Sequence, residues 1–341
     1  MIHRLLVATF ACFVACAAAS AHVRAASCAD ANTAESTLYV TDREPVSGDP
    51  LFSGERGLTK NREAVISTGV ISTPVERRTL APCPSNDAFF AAMAKRFRGN
   101  DRQALIYIHG YYTPFVNAAN DALAVAAGLN FQGPVILYSW PSKVTSRLTY
   151  VNDESNASWS RVHFRQMLVR FQKRFPKLRI SFAAHSLGAR FATEGIGLIG
   201  DSSCPKCLGR TVLFAPDVDT DALRSELQVS GLCKGAPPAN PKTAAPVLLY
   251  VSNRDRALRT SQRLHGHQRA GQAASEMVLC NGVNTVDVGY IKIADRAGHS
   301  YQVDKRVLAD TRAAFAGTAP TAPQRGLTRA TRPGGVYYEL R

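Results

Sequence analysis

Ser186 stands in Ala184-His185-Ser186-Leu187-Gly188, directly after the apolar run Leu178 to Ala184 and before a helical pattern rich in small residues. A serine hydroxyl is a weak nucleophile at neutral pH and needs both a positioned base and an anion-stabilising pocket. A tight strand-to-helix turn exposes the hydroxyl above a sheet, and its flanking residues have to be small because the strained turn presses on neighbouring backbone. Alanine at 184 departs from a strict G-x-S-x-G pattern but keeps that smallness. The anion pocket requires a second backbone N–H from a loop that follows an earlier strand. His109-Gly110-Tyr111-Tyr112 comes after Ala104 to Ile108 at that place. Tyr111 and Leu187 are therefore the expected oxyanion donors, each such donor being worth about 2.7–4 kcal/mol in a transition state. His109 reads as a residue that fixes the loop, not as a base.

The acid and the base are expected downstream in the order Ser, Asp, His, each at a strand end. Asp255 follows the run Pro246 to Ser252, and His299 lies in Ala297-Gly298-His299-Ser300 after the last predicted strand. Asp217 and Asp219, behind Arg210 to Ala215, are rival acids, set below Asp255 on chain order. His163 falls mid-helix, and His265 and His267 fall in a polar segment where solvation is the default. The chemistry expected of this set is attack of Ser186 on an ester carbonyl, His299 taking the proton and Asp255 holding the imidazole. Amide cleavage or acyl transfer by the same three residues, and a silent scaffold used only for binding, are the alternatives.

The elements that must carry these residues alternate between β-branched or aromatic runs and helical patterns, the mark of a mostly parallel sheet with helices on both faces. Strands are predicted at Thr37–Thr41, Ala64–Val70, Ala104–His109, Pro134–Trp140, Leu178–Ala184, Arg210–Ala215, Pro246–Ser252 and Val286–Ile291. Helices are predicted at Phe115–Leu129, Asp153–Phe175, Asp219–Leu227, Arg256–Leu264 and Gln302–Phe315. Tyr111, Tyr112, Phe115 and Trp140 are candidates to line an acyl pocket. Gly195 to Gly200 spells G-x-G-x-x-G, but it comes late in a helix and not at a strand exit, so it carries packing and no dinucleotide.

The chain of 341 residues is 45% hydrophobic and 20% charged, ordinary globular composition, and its formal net charge of +15 is scattered. No nucleic-acid motif accompanies that charge, so nucleic-acid binding is not expected; a small-molecule or lipid ester is the expected partner, with membrane-surface association left open. Arg254, Arg256, Arg259, Arg263 and Arg269 read as a solvated helix face. Neither a metal nor a cofactor is called for, and nothing in the pattern fixes an oligomeric state. Residues 1–26 carry a basic start, an apolar run and a small-x-small cleavage site, which predicts a secretory signal peptide and an exported, periplasmic or secreted protein. A lipoprotein or an N-terminal anchor is the lesser reading. Six cysteines remain beyond that segment, an even number that suits disulfides in an oxidising compartment. Six cysteines allow about 15 connectivities and the sequence does not choose among them; chain order offers Cys28–Cys83 and Cys233–Cys280 as guesses, and Cys204-Pro205-Lys206-Cys207 reads as a structural cross-link. The domain is expected over 27–316, followed by a basic, disordered tail over 317–341.

The pieces YVTDREP, LIYIHGYYTPF, VILYSWPS, FAAHSLGAR, LFAPDVD, YVSNRDRAL and the GHS segment around His299 together resemble an esterase/lipase-like subfamily of α/β-hydrolases long described as a domain of unknown function. The resemblance spans Tyr39 to Phe315. It implies an α/β-hydrolase fold and a triad made of the elbow serine, the aspartate of the NRDRAL-like segment and the late histidine, which fall on Ser186, Asp255 and His299.

Overall fold

The computed structural model describes residues 28, 36–47, 51–76, 79–99, 102–143, 150–200, 202 and 204–341. The predicted signal segment, residues 1–26, lies outside the described residues. In chain order the elements are β1 (Ser36–Thr41), β2 (Arg43–Pro45), β3 (Phe52–Arg56), β4 (Ser67–Ser72), β5 (Leu80–Pro82), α1 (Asn86–Ala94), β6 (Gln103–Ile108), α2 (Phe115–Leu129), β7 (Val135–Ser139) and α3 (Tyr150–Arg174). They continue with β8 (Arg179–His185), α4 (Ala189–Gly200), β9 (Leu208–Phe214), α5 (Thr220–Val229), β10 (Val247–Val251), α6 (Arg256–His265), β11 (Val283–Asp287), α7 (Lys305–Phe315), β12 (Leu327–Arg332) and β13 (Gly335–Leu340).

An 11-stranded sheet in the order β12-β13-β11-β10-β9-β8-β6-β7-β1-β4-β5 forms the frame. The strands from β13 to β1 run parallel, and β12, β4 and β5 are antiparallel to their neighbours. A parallel strand covered on both faces should be apolar throughout, and β6 is. Ala104, Ile106 and Ile108 enter one core with α1, α3, α4 and α5, whereas Leu105 and Tyr107 enter the other with α2, α6 and α7. Helix α2 shows why the helices seat: Phe115, Ala118, Ala119, Ala122, Val125 and Leu129 form one buried stripe, and Asn130 ends the helix in the left-handed region at φ 47°. The chain leaves β6 for β7 on one side, then crosses to β8 on the other. Such a reversal opens a crevice at the strands' carboxyl ends, where open α/β sheets bind ligands.

Residues 317–341 overturn the expectation of a disordered tail. β12 and β13 form a hairpin, and β13 adds to β11 through Val286↔Tyr338 and Asp287↔Glu339. The Pro, Thr, Arg and Gly content hides a short run, Gly335 to Leu340, that has a parallel edge to pair with and buries Tyr337, Tyr338 and Leu340. Gly334 and Gly335, at φ 99° and 142°, make the turn. Arg325, also read as tail, is buried in a two-bond ion pair with Asp310 at 2.6 and 3.0 Å. The described domain thus runs to the end of the chain. Disulfides join Cys28–Cys83, Cys204–Cys207 and Cys233–Cys280, as chain order suggests. Among the described residues no helix is long and apolar enough to cross a membrane.

Candidate active site

Ser186 begins the turn between β8 and α4 with φ 53°, a left-handed conformation unusual for a residue with a side chain. Holding it there costs on the order of 1–3 kcal/mol, so the surroundings have to over-determine it. They do so by contact and hydrogen bonding. The Ser186 carbonyl accepts the Asp217 N–H at 3.0 Å. A Cβ on Gly188 would clash with the His109 carbonyl and lie 2.7 Å from that of Ile108, so α4 can start this close to β6 only with glycine there. The Gly195 step of the glycine motif likewise packs on the Phe182 ring, 2.5 Å from where a Cβ would sit, which accounts for it without a cofactor.

Asp255 and His299 meet above β10. His299 Nδ1 lies 2.6 Å from Asp255 Oδ2, with the aspartate fully buried and the imidazole side chain 14% exposed. The other oxygen, Oδ1, accepts the Leu258 N–H at 2.9 Å and caps α6, so one carboxylate both starts a helix and orients the ring. Tyr301 OH donates a further bond of 2.8 Å to Oδ2. Burial disfavours the His299 cation, but the Asp255 carboxylate, joined by Asp217 and Asp295, outweighs it and holds the imidazole above its ordinary pKa. His185, next to the serine, has its ring centroid 4.7 Å from that of His299. Its Nε2 donates to the His299 carbonyl at 3.0 Å. Burial and the neighbouring His299 push His185 down to about 3, leaving it a neutral donor.

The two rival acids have other partners. Asp217 is buried with Oδ1 accepting from Arg269 Nε at 2.7 Å and Ser261 Oγ at 2.6 Å, and Oδ2 accepting from Tyr150 OH at 2.6 Å. Burial raises its pKa, but Arg269 and these donors reverse that and leave it below the usual value. Asp219 caps α5 by accepting the Asp221 and Ala222 N–H groups. Arg269 accordingly leaves the solvated face to which its sequence context assigned it. His265 does too: it is partly buried between Ser261 and Glu154, whose Oε1 lies 3.0 Å from Nε2. His163 pairs with Asp42 at 2.8 Å.

The loop His109–Thr113 is held at both of its ends. Trp140 Nε1 donates to the His109 carbonyl at 3.0 Å and stacks on its ring. Arg43, fully buried, donates through Nη2 to His109 Nε2 at 3.1 Å and to the Thr113 carbonyl at 2.7 Å, thus spanning the loop. A guanidinium only donates, so Nε2 accepts and Nδ1 carries the proton, given to the Gly110 carbonyl at 2.8 Å. Burial and the Arg43 cation keep His109 well below its ordinary pKa, and it acts as a brace. Burial lowers Arg43 itself to about 9. Ser142 Oγ accepts the Thr113 N–H at 3.1 Å and donates to Asp153 at 2.6 Å. Gly110 presses on the nucleophile: a Cβ there would meet Ser186 Cβ at 2.8 Å and His185 Nδ1 at 2.9 Å. Leu187 follows Ser186 in the turn, and Tyr111 follows Gly110 on the loop that packs against it. Of the four aromatic residues proposed to line a pocket, Phe115 and Trp140 are fully buried in the core. Tyr112 is 39% exposed, and Tyr111 packs on Tyr150 at 5.2 Å.

The model of a family of alpha/beta hydrolases of unknown function, DUF900, matches residues 85–313, well over half the chain. The chain belongs to this family. No curated protein matches it in sequence. Among solved structures it is similar to a mutant of the esterase rPPE, with 13% identity over 79% of this chain and 78% of that one, at a TM-score of 0.28. It is also similar to lipase B of Aspergillus fumigatus, with 13% identity over 75% of this chain and 62% of that one, at a TM-score of 0.34.

In this DUF900 hydrolase, sequence reasoning missed the residues that build the histidine loop. Asp295 accepts the N–H groups of Ala297 (2.7 Å), His299 (2.9 Å) and Ser300 (2.7 Å), and Gly298 turns at φ 65°. Burial alone would raise the Asp295 pKa, but these donors hold it below the usual value. An Asp followed three residues later by Gly is a local turn signal, and Asp295 with Gly298 carries it. Arg43 gave no such signal, because β2 is short and its partners lie far along the chain.

Proposed function

We propose that this chain is an exported serine hydrolase that cleaves carboxylic esters through Ser186, His299 and Asp255. The observation that supports the reading is the strained Ser186 turn, whose neighbour His185 packs on the His299 ring at 4.7 Å, together with His299 Nδ1 held 2.6 Å from a buried carboxylate. Asp255 accepts the Nδ1 proton, which leaves Nε2 as the base. His299 takes the proton of Ser186 as Oγ attacks the carbonyl, and the Tyr111 and Leu187 N–H groups receive the oxyanion. The histidine returns the proton to the leaving alcohol. Water, activated by the same imidazole, then releases the acid from Ser186. Export is supported by the leader pattern in residues 1–26 and by the three disulfides, which suit an oxidising compartment. The test is fluorophosphonate labelling and turnover of p-nitrophenyl esters of graded acyl length. Both are expected in the wild type and lost in Ser186→Ala; labelling of the variant at the wild-type rate sinks the assignment.

A further inference from the structure

A cavity lies at the end of the sheet opposite Ser186, where β6, β8 and β9 begin and α2 and α7 end. Its volume is about 550 Å³, within the range of small-molecule sites. Along β8 it is separated from Ser186 by the strand's full length, roughly 20 Å at about 3.3 Å per residue. Arg179, Arg210 and Arg312 are among its lining residues, and Leu129, Phe131 and Phe315 supply apolar surface. No carboxylate is among its described lining residues.

Arg210 has the most informative surroundings. Nε donates to the Phe315 carbonyl at 3.3 Å, and Nη1 donates to the carbonyls of Ala244 and Ala245 at 3.0 and 3.1 Å. These bonds occupy carbonyl dipoles that would otherwise repel an anion, including one at the C-terminus of α7. Nη2 has no hydrogen-bond partner among the described residues. Burial, then the like charges of Arg179 and Arg325, lower the Arg210 pKa. Arg325 is neutralised by Asp310, whereas Arg210 has no ion-pair partner among the described residues. Arg312, in the last turn of α7, is exposed and lines the same cavity. A half-buried guanidinium facing other guanidiniums is costly unless an anion joins it, and its planar donor edge fits a carboxylate or phosphate.

We infer that this cavity binds a small amphiphilic oxyanion, a carboxylate or phosphate head on a short apolar chain. The head is received by Arg210 Nη2 and Arg312, and the chain lies against Leu129, Phe131 and Phe315. The site is independent of Ser186 chemistry.

Calorimetric titration of the purified protein with octanoate, octyl phosphate, inorganic phosphate and octanol tests this. Octanoate or octyl phosphate is expected to saturate one site, inorganic phosphate to bind more weakly, and octanol not to saturate it. Arg312→Glu, at an exposed position, is expected to weaken binding tenfold or more, while Arg312→Lys retains it. Binding should persist in Ser186→Ala, separating this cavity from the proposed catalytic site. Absence of saturable binding by either amphiphile, equal binding of octanol, or unchanged affinity in Arg312→Glu overturns the assignment.

Discussion

Replacing Asp255 with Asn tests the role of the acid with little change of shape. Oδ1 of the aspartate is committed to the Leu258 N–H at 2.9 Å, so an asparagine keeps its carbonyl oxygen there and turns its NH2 toward His299. Asparagine caps a helix about as well as aspartate, and α6 should start unchanged. The NH2 can only donate to Nδ1, which forces the imidazole proton onto Nε2, the atom that must accept from Ser186. The same exchange in serine proteases of this triad chemistry lowers turnover about 10⁴-fold, equivalent to about 5.4 kcal/mol of barrier. Folding stability should fall separately, by about 1.5–3 kcal/mol for each of the two charge-assisted hydrogen bonds that Oδ2 accepts, from His299 and Tyr301. Steady-state hydrolysis of a p-nitrophenyl ester beside a urea denaturation curve measures both. Asp217→Asn is the counterpart: it breaks a buried ion pair with Arg269, so stability falls by about 3–5 kcal/mol while the folded fraction turns over within about tenfold of wild type. A folded Asp255→Asn protein that keeps turnover within tenfold, or a collapse of turnover confined to Asp217→Asn, would refute the reasoning.

Three further outcomes follow from the same geometry. Gly110→Ala places a methyl 2.8 Å from Ser186 Cβ, so the loop has to move and one oxyanion donor is lost; turnover should fall about 10²–10³-fold with an unchanged circular dichroism spectrum, and a near-wild-type rate would count against Tyr111 as donor. His299 must be neutral to accept a proton and its pKa lies above the ordinary value, so kcat/KM should rise with pH through a midpoint above that of a free imidazole, about 6.5. The linked stability has the opposite sense, being present in full below the unfolded pKa and lost as pH rises through the folded one; a rate midpoint at or below 6.5 contradicts the pairing. Arg43→Met strands the Thr113 carbonyl without its donor, at about 1–3 kcal/mol, while Ser139 Oγ, 3.3 Å away, can still donate to His109 Nε2; a net loss of about 1–3 kcal/mol in urea denaturation is expected, and a gain in stability would show that burying the charge outweighs its bonds.

The sequence by itself determined the layered α/β fold and the strand carrying each candidate group, and it singled out Ser186, Asp255 and His299 as candidates in chain order, because each is announced by local pattern. An apolar run of fixed length reads as a buried strand, and a small-x-Ser-x-Gly turn behind it admits few alternatives. Helix α2 matches its predicted bounds because its apolar stripe and terminal Asn130 are both local signals. Chain order alone ranked Asp255 above Asp217. Only the tertiary structure shows why they differ: one carboxylate touches His299, and the other is taken up by Arg269, Ser261 and Tyr150. Arg43 and Arg269 look like any surface arginine in sequence, since most of their side-chain partners lie 52 to 99 residues away and burial is set by the sheet that closes over them. The C-terminal hairpin was hidden for the same reason. Its composition is that of a solvated tail, and its order comes from the open edge of β11, which exists only once the sheet has assembled.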